Sequence, residues 1–281
     1  MKIIINHQPV DVKEGITVME ACRTVGIDIP SLCFLKDVSE NASCGVCVVE
    51  VKGARSLLRS CITKVTDGME ILTASPRVRE ARKVNVELIL ANHPQDCLQC
   101  DRNLNCELQS LAFQLGIKES RFVRTRKKYF PKDETSLSLV RDPEKCILCG
   151  RCVAVCNEMQ TVNAIDFSGR GLNTRISTFF DKGLGATYCT NCGQCSLVCP
   201  TGAITEKSYV QQVWQEIHNP DKVVLIQTAP AVRVGIGEAM GMPYGSLVTG
   251  QMVAGLRRLG FSKIFDTNFA ADLTIMEEAN E

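Results

Sequence analysis

The sequence predicts an α+β protein built from several small domains. Its 281 residues exceed one small domain and leave room for two or more. Short β-branched runs surround a helix near the amino terminus, helices follow, and a strand–helix–helix–strand order comes last. Fifteen of the sixteen cysteines fall into four consecutive sets with the spacings of metal-cluster ligands. Together these observations predict a multidomain iron–sulfur protein.

The first domain is predicted over residues 1–78 as a small α+β unit. Thr17 and Glu20 form a capping box, which predicts a helix over Val18–Val25 that Gly26 ends. Apolar and β-branched runs predict four strands: Lys2–Asn6, Pro9–Val12, Val46–Val51 and Met69–Thr73. A long loop that carries cysteines connects the helix to the third strand.

Two further domains are predicted over residues 79–120 and 121–215. Pro76 suits the first turn of a helix over Val78–Leu90, and a second helix is predicted over Leu104–Leu115. The later of the two domains contains an internal repeat, because its two cysteine runs have the same spacing.

The last domain is predicted over residues 216–281, where the composition changes. Strands Lys222–Gln227 and Lys263–Asp266 flank helices over Val232–Met240 and Leu247–Leu259. This order is the start of an α/β layer. An acidic helical tail follows without a terminating Gly or Pro, so we expect this domain to be truncated.

Four cysteines of the first domain have the spacing C-x10-C-x2-C-x13-C. Four thiolates can hold a 2Fe–2S cluster, with two on each iron. Gly45 in this loop lets backbone amides turn toward sulfur, and such hydrogen bonds tune the reduction potential. A tetrahedral zinc site is the alternative, since it also accepts one C-x2-C pair with two distant cysteines. We predict a 2Fe–2S cluster on Cys33, Cys44, Cys47 and Cys61.

The second domain has three cysteines, one short of a 4Fe–4S cluster, and a histidine precedes them. A neutral imidazole in place of a thiolate removes one negative charge, which raises the reduction potential as in Rieske centres. The alternatives are a zinc knuckle and a histidine that is only a surface loop residue. The spacing H-x3-C-x2-C-x5-C predicts a 4Fe–4S cluster on His93, Cys97, Cys100 and Cys106.

The third domain contains the most specific pattern, two runs of C-x2-C-x2-C-x3-C. Such a doubled run builds two 4Fe–4S clusters, and the fourth cysteine of each run ligates the other cluster. Asn157 replaces the usual proline after the first run, and zinc is a weak alternative for so specific a pattern. We predict one cluster on Cys146, Cys149, Cys152 and Cys199, and another on Cys189, Cys192, Cys195 and Cys156.

One cysteine lies outside the four sets. Cys22 falls on the predicted first helix, and a small buried hydrophobic residue is the usual role of a free cysteine. Trp214, within Val210–Ile217, is likewise predicted to be a core residue.

Charge and composition argue against several other functions. The formal net charge is +1, so no global field favours nucleic acid or a membrane surface. Residues 118–132 hold seven Lys or Arg against one Glu, but a solvated linker or a positive neighbour for anionic clusters is favoured over nucleic-acid binding. Gly235-Ile236-Gly237 begins like a dinucleotide fingerprint, which fails at Met240.

The cysteines also predict a compartment. Ligation needs free thiolates, so cluster ligation and disulfide formation exclude each other for the same residues. The amino terminus has too short an apolar run for a signal peptide, and no stretch has the length of a membrane span. We therefore expect the protein in a reducing cytoplasm.

The order of the four sets, followed by Q-T-A-P-A-V-R at residues 227–233, is similar to the larger FeFe hydrogenases. Residues 265–272, F-D-T-N-F-A-A-D, and 276–279, M-E-E-A, resemble further pieces of that family's catalytic domain. The resemblance covers the whole chain. It implies a β-grasp 2Fe–2S domain, a small helical domain with the histidine-ligated cluster, a two-cluster ferredoxin-like domain and the start of an α/β catalytic domain.

One departure from that family concerns the active site. The family's H-cluster, a 4Fe–4S cube joined to a diiron unit, is held by cysteines in later motifs that begin with T-S-C-C-P. No such motif occurs here, no cysteine follows Cys199, and the family's proton-relay cysteine is absent as well. The chain therefore resembles the electron-input half of an enzyme, with no catalytic residue of its own, and we expect no hydrogen turnover by this stretch alone.

The resemblance implies an electron relay through one 2Fe–2S and three 4Fe–4S clusters to or from the H-cluster of a hydrogenase. The implied partners are a flavin-containing NAD(P)-linked subunit or ferredoxin within a hetero-oligomeric complex. A second hypothesis is the iron–sulfur arm of a formate dehydrogenase or of a complex I-like oxidoreductase, although residues 222–281 show no molybdopterin-domain signature. A third is a redox sensor or an assembly scaffold.

Overall fold

The computed structural model describes residues 1–124 and 129–281. These residues divide into two units, Met1–Lys207 and Ser208–Glu281. All four predicted ligand sets lie in the first unit, so their mutual geometry is defined within one body. Across the described ranges, every helix is too short or too polar to span a bilayer.

The first unit begins with a five-stranded sheet and one helix. Its elements are β1 Lys2–Ile5, β2 Gln8–Asp11, α1 Val18–Thr24, β3 Val48–Val51, β4 Leu58–Arg59 and β5 Glu70–Leu72. The strand order is β2-β1-β5-β3-β4. Strands β1 and β5 run parallel, whereas the other neighbours are antiparallel. The predicted strands and helix are present, and β4 is an additional short strand.

Helix α1 buries its apolar face against this sheet. The Thr17 hydroxyl accepts from the Glu20 backbone N–H, and the Glu20 carboxylate accepts from the Thr17 backbone N–H, which confirms the predicted capping box. Val18, Met19 and Cys22 are fully buried in the core of the sheet. Burial raises the pKa of Cys22 to about 11, so this thiol is the inert core residue that the sequence predicted.

Two helices follow the sheet. Helix α2 spans Pro76–Ala91 and helix α3 spans Glu107–Gln114. The prediction that the second helix begins at Leu104 is wrong, because Leu104 lies in the left-handed region with φ of 63° and Cys106 is the N-cap. The two helices share one buried core with residues of the cysteine-bearing loop: Leu32, Val46, Val86, Leu108 and Leu111.

The remainder of the first unit contains two small antiparallel ribbons and two short helices. They are β6 Leu139–Arg141, α4 Arg151–Ala154, β7 Asp166–Ser168, β8 Arg175–Ser177, α5 Gln194–Leu197 and β9 Ile204–Glu206. Strand β6 pairs with β9, and β7 pairs with β8. Because β6 precedes the first cysteine run and β9 follows the second, this pairing brings the two runs together.

The predicted internal repeat is visible in the backbone. Leu148 and Asn191 are both left-handed, with φ of 57° and 56°. Gly150 and Gly193 are left-handed N-caps of α4 and α5, with φ of 81° and 76°. Each pair keeps the offset of the two cysteine runs, so the repeat is confirmed.

The second unit is an α/β layer. Its elements are α6 Val210–Ile217, β10 Leu225–Thr228, α7 Val232–Ala239, α8 Thr249–Leu259, β11 Lys263–Asp266 and α9 Thr267–Glu278. Strands β10 and β11 are parallel, and α7 and α8 form the crossover between them. The core prediction for Trp214 is wrong, because Trp214 is 38% exposed and helix α6 has no fully buried residue.

Three basic residues in the described part of the basic segment are paired with carboxylates. The ion pairs are Arg121–Glu87 at 2.7 Å, Arg124–Glu144 at 2.5 Å and Lys132–Glu134 at 2.9 Å. Glu87 is 1% exposed, so its pair with Arg121 holds the segment against α2. Arg126, Lys127 and Lys128 lie outside the described residues. This charge pairing supports the linker interpretation over nucleic-acid binding.

Candidate metal-cluster sites

The four cysteines of the first set lie in two close pairs. The Sγ atoms of Cys33 and Cys44 are 3.4 Å apart, and those of Cys47 and Cys61 are 3.3 Å apart. Cys61 interacts electrostatically with all three of the other thiols, so the two pairs are neighbours. The structure therefore brings together the four residues that the spacing selected, two by two.

Hydrogen bonds prepare these thiols for ligation. The side-chain contact with Cys44 lowers the pKa of Cys33, and the side-chain contact with Cys61 lowers the pKa of Cys47. The backbone N–H groups of Leu32 and Cys44 donate to Cys44 Sγ and Cys33 Sγ, each at 3.5 Å. One thiol of each pair is thus readily deprotonated, although burial alone disfavours a thiolate.

The second set gathers its cysteines around the amino-terminal end of α3. Cys97 begins a single 3-10 turn, Cys106 is the N-cap of α3, and Cys106 interacts electrostatically with both Cys97 and Cys100. Burial raises the pKa of Cys106, and the backbone N–H groups of Leu108 and Gln109 oppose that shift by donating to its sulfur. A helix terminus therefore supplies amides to a thiolate at this position.

His93 follows the carboxyl-terminal end of α2. Its Nδ1 is buried and has no hydrogen-bond partner among the described residues. Burial lowers the pKa of His93 to about 4, so its imidazole is neutral near pH 7, which is the form that binds metals. Its electrostatic neighbours are Asp96 and Lys145, and no described contact joins His93 to the three thiols. A buried ring nitrogen without a partner suits metal ligation.

Two separate cavities lie between the ribbons and short helices at residues 139–206. The first cavity is lined by Cys146, Cys149, Cys152 and Cys199. The second cavity is lined by Cys156, Cys189, Cys192 and Cys195. The fourth cysteine of each run thus lines the cavity of the other run. Apolar side chains close the walls of both cavities: Ile147, Ile176, Ile204, Leu139, Ile165 and Leu184.

The thiols in these cavities are strongly buried. Burial raises the pKa of Cys149 and of Cys195 to about 12, and it also raises the pKa of Cys152. The Leu148 and Asn191 backbone N–H groups donate to the first cysteine of their runs at 3.4 Å. A thiolate in such surroundings needs a positive partner, and bound iron would supply that charge.

A site for a single metal ion needs its ligands around one point. Within the described ranges, no group of three or more His, Cys, Asp or Glu side chains is arranged to hold one metal ion. The sulfur donor sets, the two cavities and the unpartnered His93 nitrogen all fit iron–sulfur clusters.

The loop of the first set touches the wall of the first cavity. Asn41 Nδ2 donates to the carbonyl oxygen of Cys149 at 2.8 Å. A Cβ atom at Gly150 would lie 2.5 Å from that amide nitrogen, so glycine is required for this approach as well as for the left-handed cap. Cys44 and Ile147 also pack against the same buried core.

The second ligand set also contacts residues that line the first cavity. Cys106 Sγ lies 3.6 Å from the carbonyl oxygen of Pro200, and Arg102 Nη2 donates to the carbonyl oxygen of Cys199 at 3.1 Å. A Cβ atom at Gly202 would lie 2.6 Å from Cys100 Sγ. The first and second ligand sets therefore both contact residues that line the first cavity.

The second cavity lies nearer to the protein surface. Cys192 is the exposed member of the sixteen cysteines, all of which the structure describes. Tyr188, just before the second run, is 96% exposed. Electrostatic contact between Cys152 and Cys195 links this cavity to the first one.

Sequence reasoning missed the residues that join the sites. Arg102 lies between two predicted ligands, and Gly202 follows Cys199 closely, so both positions carried a local signal. Asn41 carried none, because its partner is 108 positions away in the chain.

Four family models match consecutive parts of the chain. They are the 2Fe–2S iron–sulfur cluster binding domain over residues 1–76, the NADH-ubiquinone oxidoreductase-G iron–sulfur binding region over 82–121, the 4Fe–4S dicluster domain over 145–203, and the iron only hydrogenase large subunit, C-terminal domain over 222–281. The first three models match the segments that carry the ligand sets.

Two similar proteins cover nearly all of the chain. The NADP-reducing hydrogenase subunit HndD of Solidesulfovibrio fructosivorans is 49% identical over 286 residues, which are 100% of this chain and 49% of that protein. Iron hydrogenase 1 of Clostridium pasteurianum is 40% identical over 280 residues, 99% of this chain and 49% of that protein. The chain spans about half the length of these relatives.

Other relatives match a shorter stretch. The NADH-ubiquinone oxidoreductase 75 kDa subunit of Reclinomonas americana is 35% identical over 210 residues, 74% of this chain and 30% of that protein. A crystal structure of an NAD+-reducing [NiFe]-hydrogenase in the H2-reduced state has a TM-score of 0.68 and 28% identity, and covers 74% of this chain and 87% of its own. Because the hydrogenase matches extend over the whole chain and include residues 222–281, the chain belongs to the iron-only hydrogenase large-subunit family and contains that family's 2Fe–2S and 4Fe–4S electron-transfer domains.

Proposed function

We propose that the chain relays electrons through one 2Fe–2S and three 4Fe–4S clusters. One observation carries this proposal: two separate cavities, each lined by a crossed quartet of cysteines. Crossed ligation is the arrangement of two-cluster ferredoxins, and it brings two clusters close enough for electron exchange. Such clusters pass single electrons, and the protein's contribution is to hold them in series and to set their potentials.

The proposed ligands are the four predicted sets. Cys33 with Cys44 and Cys47 with Cys61 would each hold one iron of the 2Fe–2S cluster, as their close pairing supports. Three 4Fe–4S clusters would lie on the remaining sets: His93, Cys97, Cys100 and Cys106; Cys146, Cys149, Cys152 and Cys199; and Cys189, Cys192, Cys195 and Cys156. The buried Nδ1 of His93 supports the imidazole ligand.

We propose four domains for this relay. A β-grasp 2Fe–2S domain comprises residues 1–78, and a small helical domain comprises 79–120. A two-cluster ferredoxin-like domain comprises 121–215, and the opening of an α/β catalytic domain comprises 216–281. The mixed sheet with its packed helix, the two helices, the two ribbons and the parallel strand pair support this division.

The contacts between sites support a branched path. Asn41 connects the 2Fe–2S loop to Cys149, while Arg102 connects the histidine-ligated set to Cys199. Two entry points would therefore converge on the first cavity, and the electrons would leave through the second cavity near the exposed Cys192. A branch with two entries suits exchange with two different redox partners.

We infer that the complete protein interconverts dihydrogen with protons and electrons. The H-cluster would supply that chemistry, and its ligand motifs are not in these residues. The proposed partners are a flavin-containing NAD(P)-linked subunit or ferredoxin within a hetero-oligomeric complex, because the 49% identical relative is named as an NADP-reducing hydrogenase subunit. We place the protein in the cytoplasm, since its fifteen proposed cysteine ligands require reduced thiols.

A complex I-like arm is the second candidate. The match to the NADH-ubiquinone oxidoreductase 75 kDa subunit favours it, but that match reaches 74% of the chain. Residues 222–281 match the iron only hydrogenase large subunit model and therefore favour the hydrogenase.

Metal analysis tests whether the clusters that the relay needs are present. The anaerobically reconstituted chain should be brown and contain about 14 irons, two from the 2Fe–2S cluster and four from each of three 4Fe–4S clusters. Inorganic sulfide should match the iron, as measured by colorimetric assay and plasma mass spectrometry. The Cys22→Ala variant is the control, because Cys22 lies outside the sets and should keep the full iron content. A colourless protein with stoichiometric zinc would contradict the proposal.

Replacement of the proposed histidine ligand should lower the reduction potential of one cluster. His93→Cys should retain about 14 irons and lower the potential of the histidine-ligated cluster, because a thiolate adds one negative charge. A redox titration followed by electron paramagnetic resonance should show the reduction equilibrium constant falling about tenfold or more, which is about 59 mV for one electron. His218→Cys adds a thiol outside the four ligand sets and should change nothing. Identical potentials in wild type and His93→Cys would exclude His93 as a ligand.

A further inference from the structure

The ligand loop of the 2Fe–2S site is held from outside by helix α2. Asn85 Nδ2 donates to the carbonyl oxygen of Gly45 at 2.6 Å. One turn earlier, Arg82 Nε donates to the carbonyl oxygen of Val46 at 3.1 Å, and Arg82 Nη2 donates to that of Val48 at 2.8 Å. Three carbonyl groups around Cys47 are thus bound by two side chains on one face of α2.

The position of Arg82 is unusual for a charged side chain. Arg82 is 7% exposed, and its described hydrogen bonds go to backbone carbonyl oxygens. Among the residues that the structure describes, no carboxylate forms an ion pair with it. A buried guanidinium normally has an anionic partner, because desolvation of an unpaired charge is costly.

The proposed ligand beside Arg82 is Cys47. Burial lowers the pKa of Arg82, and electrostatic contact with Cys47 opposes that shift. The carbonyl groups that Arg82 binds belong to Val46 and Val48, the two neighbours of Cys47 in the chain, so the guanidinium lies beside this proposed ligand. Once Cys47 ligates iron as a thiolate, Arg82 is the buried cation that lies beside that ligand.

Asn85 acts on the backbone of the same loop. In a planar trans peptide the carbonyl of Gly45 and the N–H of Val46 point in opposite directions. With the Gly45 carbonyl held by Asn85, the peptide between Gly45 and Val46 is fixed with its N–H on the opposite side, in the loop between Cys44 and Cys47. Gly45 has φ of 66°, so its left-handed conformation allows this orientation of the peptide.

We propose that Arg82 and Asn85 are positioning residues that raise the reduction potential of the 2Fe–2S cluster. This inference rests on the proposed ligation by Cys33, Cys44, Cys47 and Cys61. Reduction adds one negative charge to a cluster, and a fixed cation in a water-poor site favours the state with more negative charge. Amide hydrogen bonds to ligand sulfur act in the same direction.

The test is a redox titration of the reconstituted chain followed by electron paramagnetic resonance of the 2Fe–2S signal. We expect Arg82→Gln to lower the reduction equilibrium constant about tenfold, which is about 59 mV for one electron. Arg82→Lys keeps the charge and should shift the potential less than Arg82→Gln. Asn85→Ala should also lower the potential. Arg79→Gln removes the same charge from an exposed position of α2 and should leave the potential unchanged.

Two results would overturn the proposal. One is an intact 2Fe–2S signal whose potential in Arg82→Gln and Asn85→Ala equals that in Arg79→Gln. The other is failure of the cluster to assemble in Arg82→Gln, Arg82→Lys and Asn85→Ala but not in Arg79→Gln, which would make their role structural. Absence of any 2Fe–2S signal in the wild-type chain would instead refute the proposed ligands, so the two failures are distinguishable.

Discussion

The double variant Cys146→Ala/Cys199→Ala should lose no more iron than either single variant. Both side chains line the first cavity, although they belong to different cysteine runs. Removal of either ligand should cost one 4Fe–4S cluster, about four irons, and the second removal should cost nothing further. Iron and sulfide analysis of the purified variants measures this non-additivity.

The matched comparison combines ligands of different cavities. Cys146→Ala/Cys156→Ala should lose about eight irons, because Cys156 lines the second cavity even though it lies in the same run as Cys146. The opposite result would show that ligation is not crossed and that the assignment is wrong. In that case Cys146→Ala/Cys156→Ala would lose about four irons and Cys146→Ala/Cys199→Ala about eight. Cys22→Ala again controls for loss of a buried thiol.

Removal of iron should unfold residues 145–203 while the amino-terminal sheet persists longer. Six of the thirteen residues in the core around the two cavities are predicted ligand cysteines. The core of the sheet has twenty-one residues, of which only Cys47 and Cys61 are predicted ligands. Structural metal sites contribute about 10–16 kcal/mol in zinc fingers, comparable with the whole stability of a domain at about 5–15 kcal/mol.

Limited proteolysis with mass spectrometry measures this order. After anaerobic chelation, cleavage sites should appear first between residues 145 and 203, and peptides from residues 1–76 should remain protected longer. Restoration of iron and sulfide should restore protection. Equal protection of both segments without iron would show that the cysteine-rich core is stable as an apolar core and would contradict this prediction.

Cysteine spacing predicts candidate ligands because cluster ligation is largely local. Three ligands of each ferredoxin-like run lie within one short loop and helix, so the run alone selects them. The crossed ligation by Cys156 and Cys199 is a prediction from the doubled run, and the lining of the two cavities supports it. The left-handed Leu148 and Asn191 repeat that local geometry in the backbone.

Other features depend on contacts between distant residues and were predicted poorly. Leu104 belongs to a periodic pattern that favours helix, but its left-handed backbone shortly before the Cys106 cap starts α3 later. Trp214 was predicted to be a core residue within Val210–Ile217, and yet α6 leaves it 38% exposed. Propensity and size describe a residue's preference, and tertiary packing determines whether that preference is met.

The amino-acid sequence was sufficient to identify the iron–sulfur chemistry and the family, because metal ligands repeat at spacings that loops of fixed length impose. Tertiary structure decided which side chains connect the ligand sets and which charged group lies beside a proposed ligand. Asn41 reaches Cys149, Arg102 reaches Cys199, and Arg82 reaches the loop of Cys47, each across a long separation in the chain. Such pairs leave no local pattern, since a charge or an amide acts through distance in space and can come from any part of the chain.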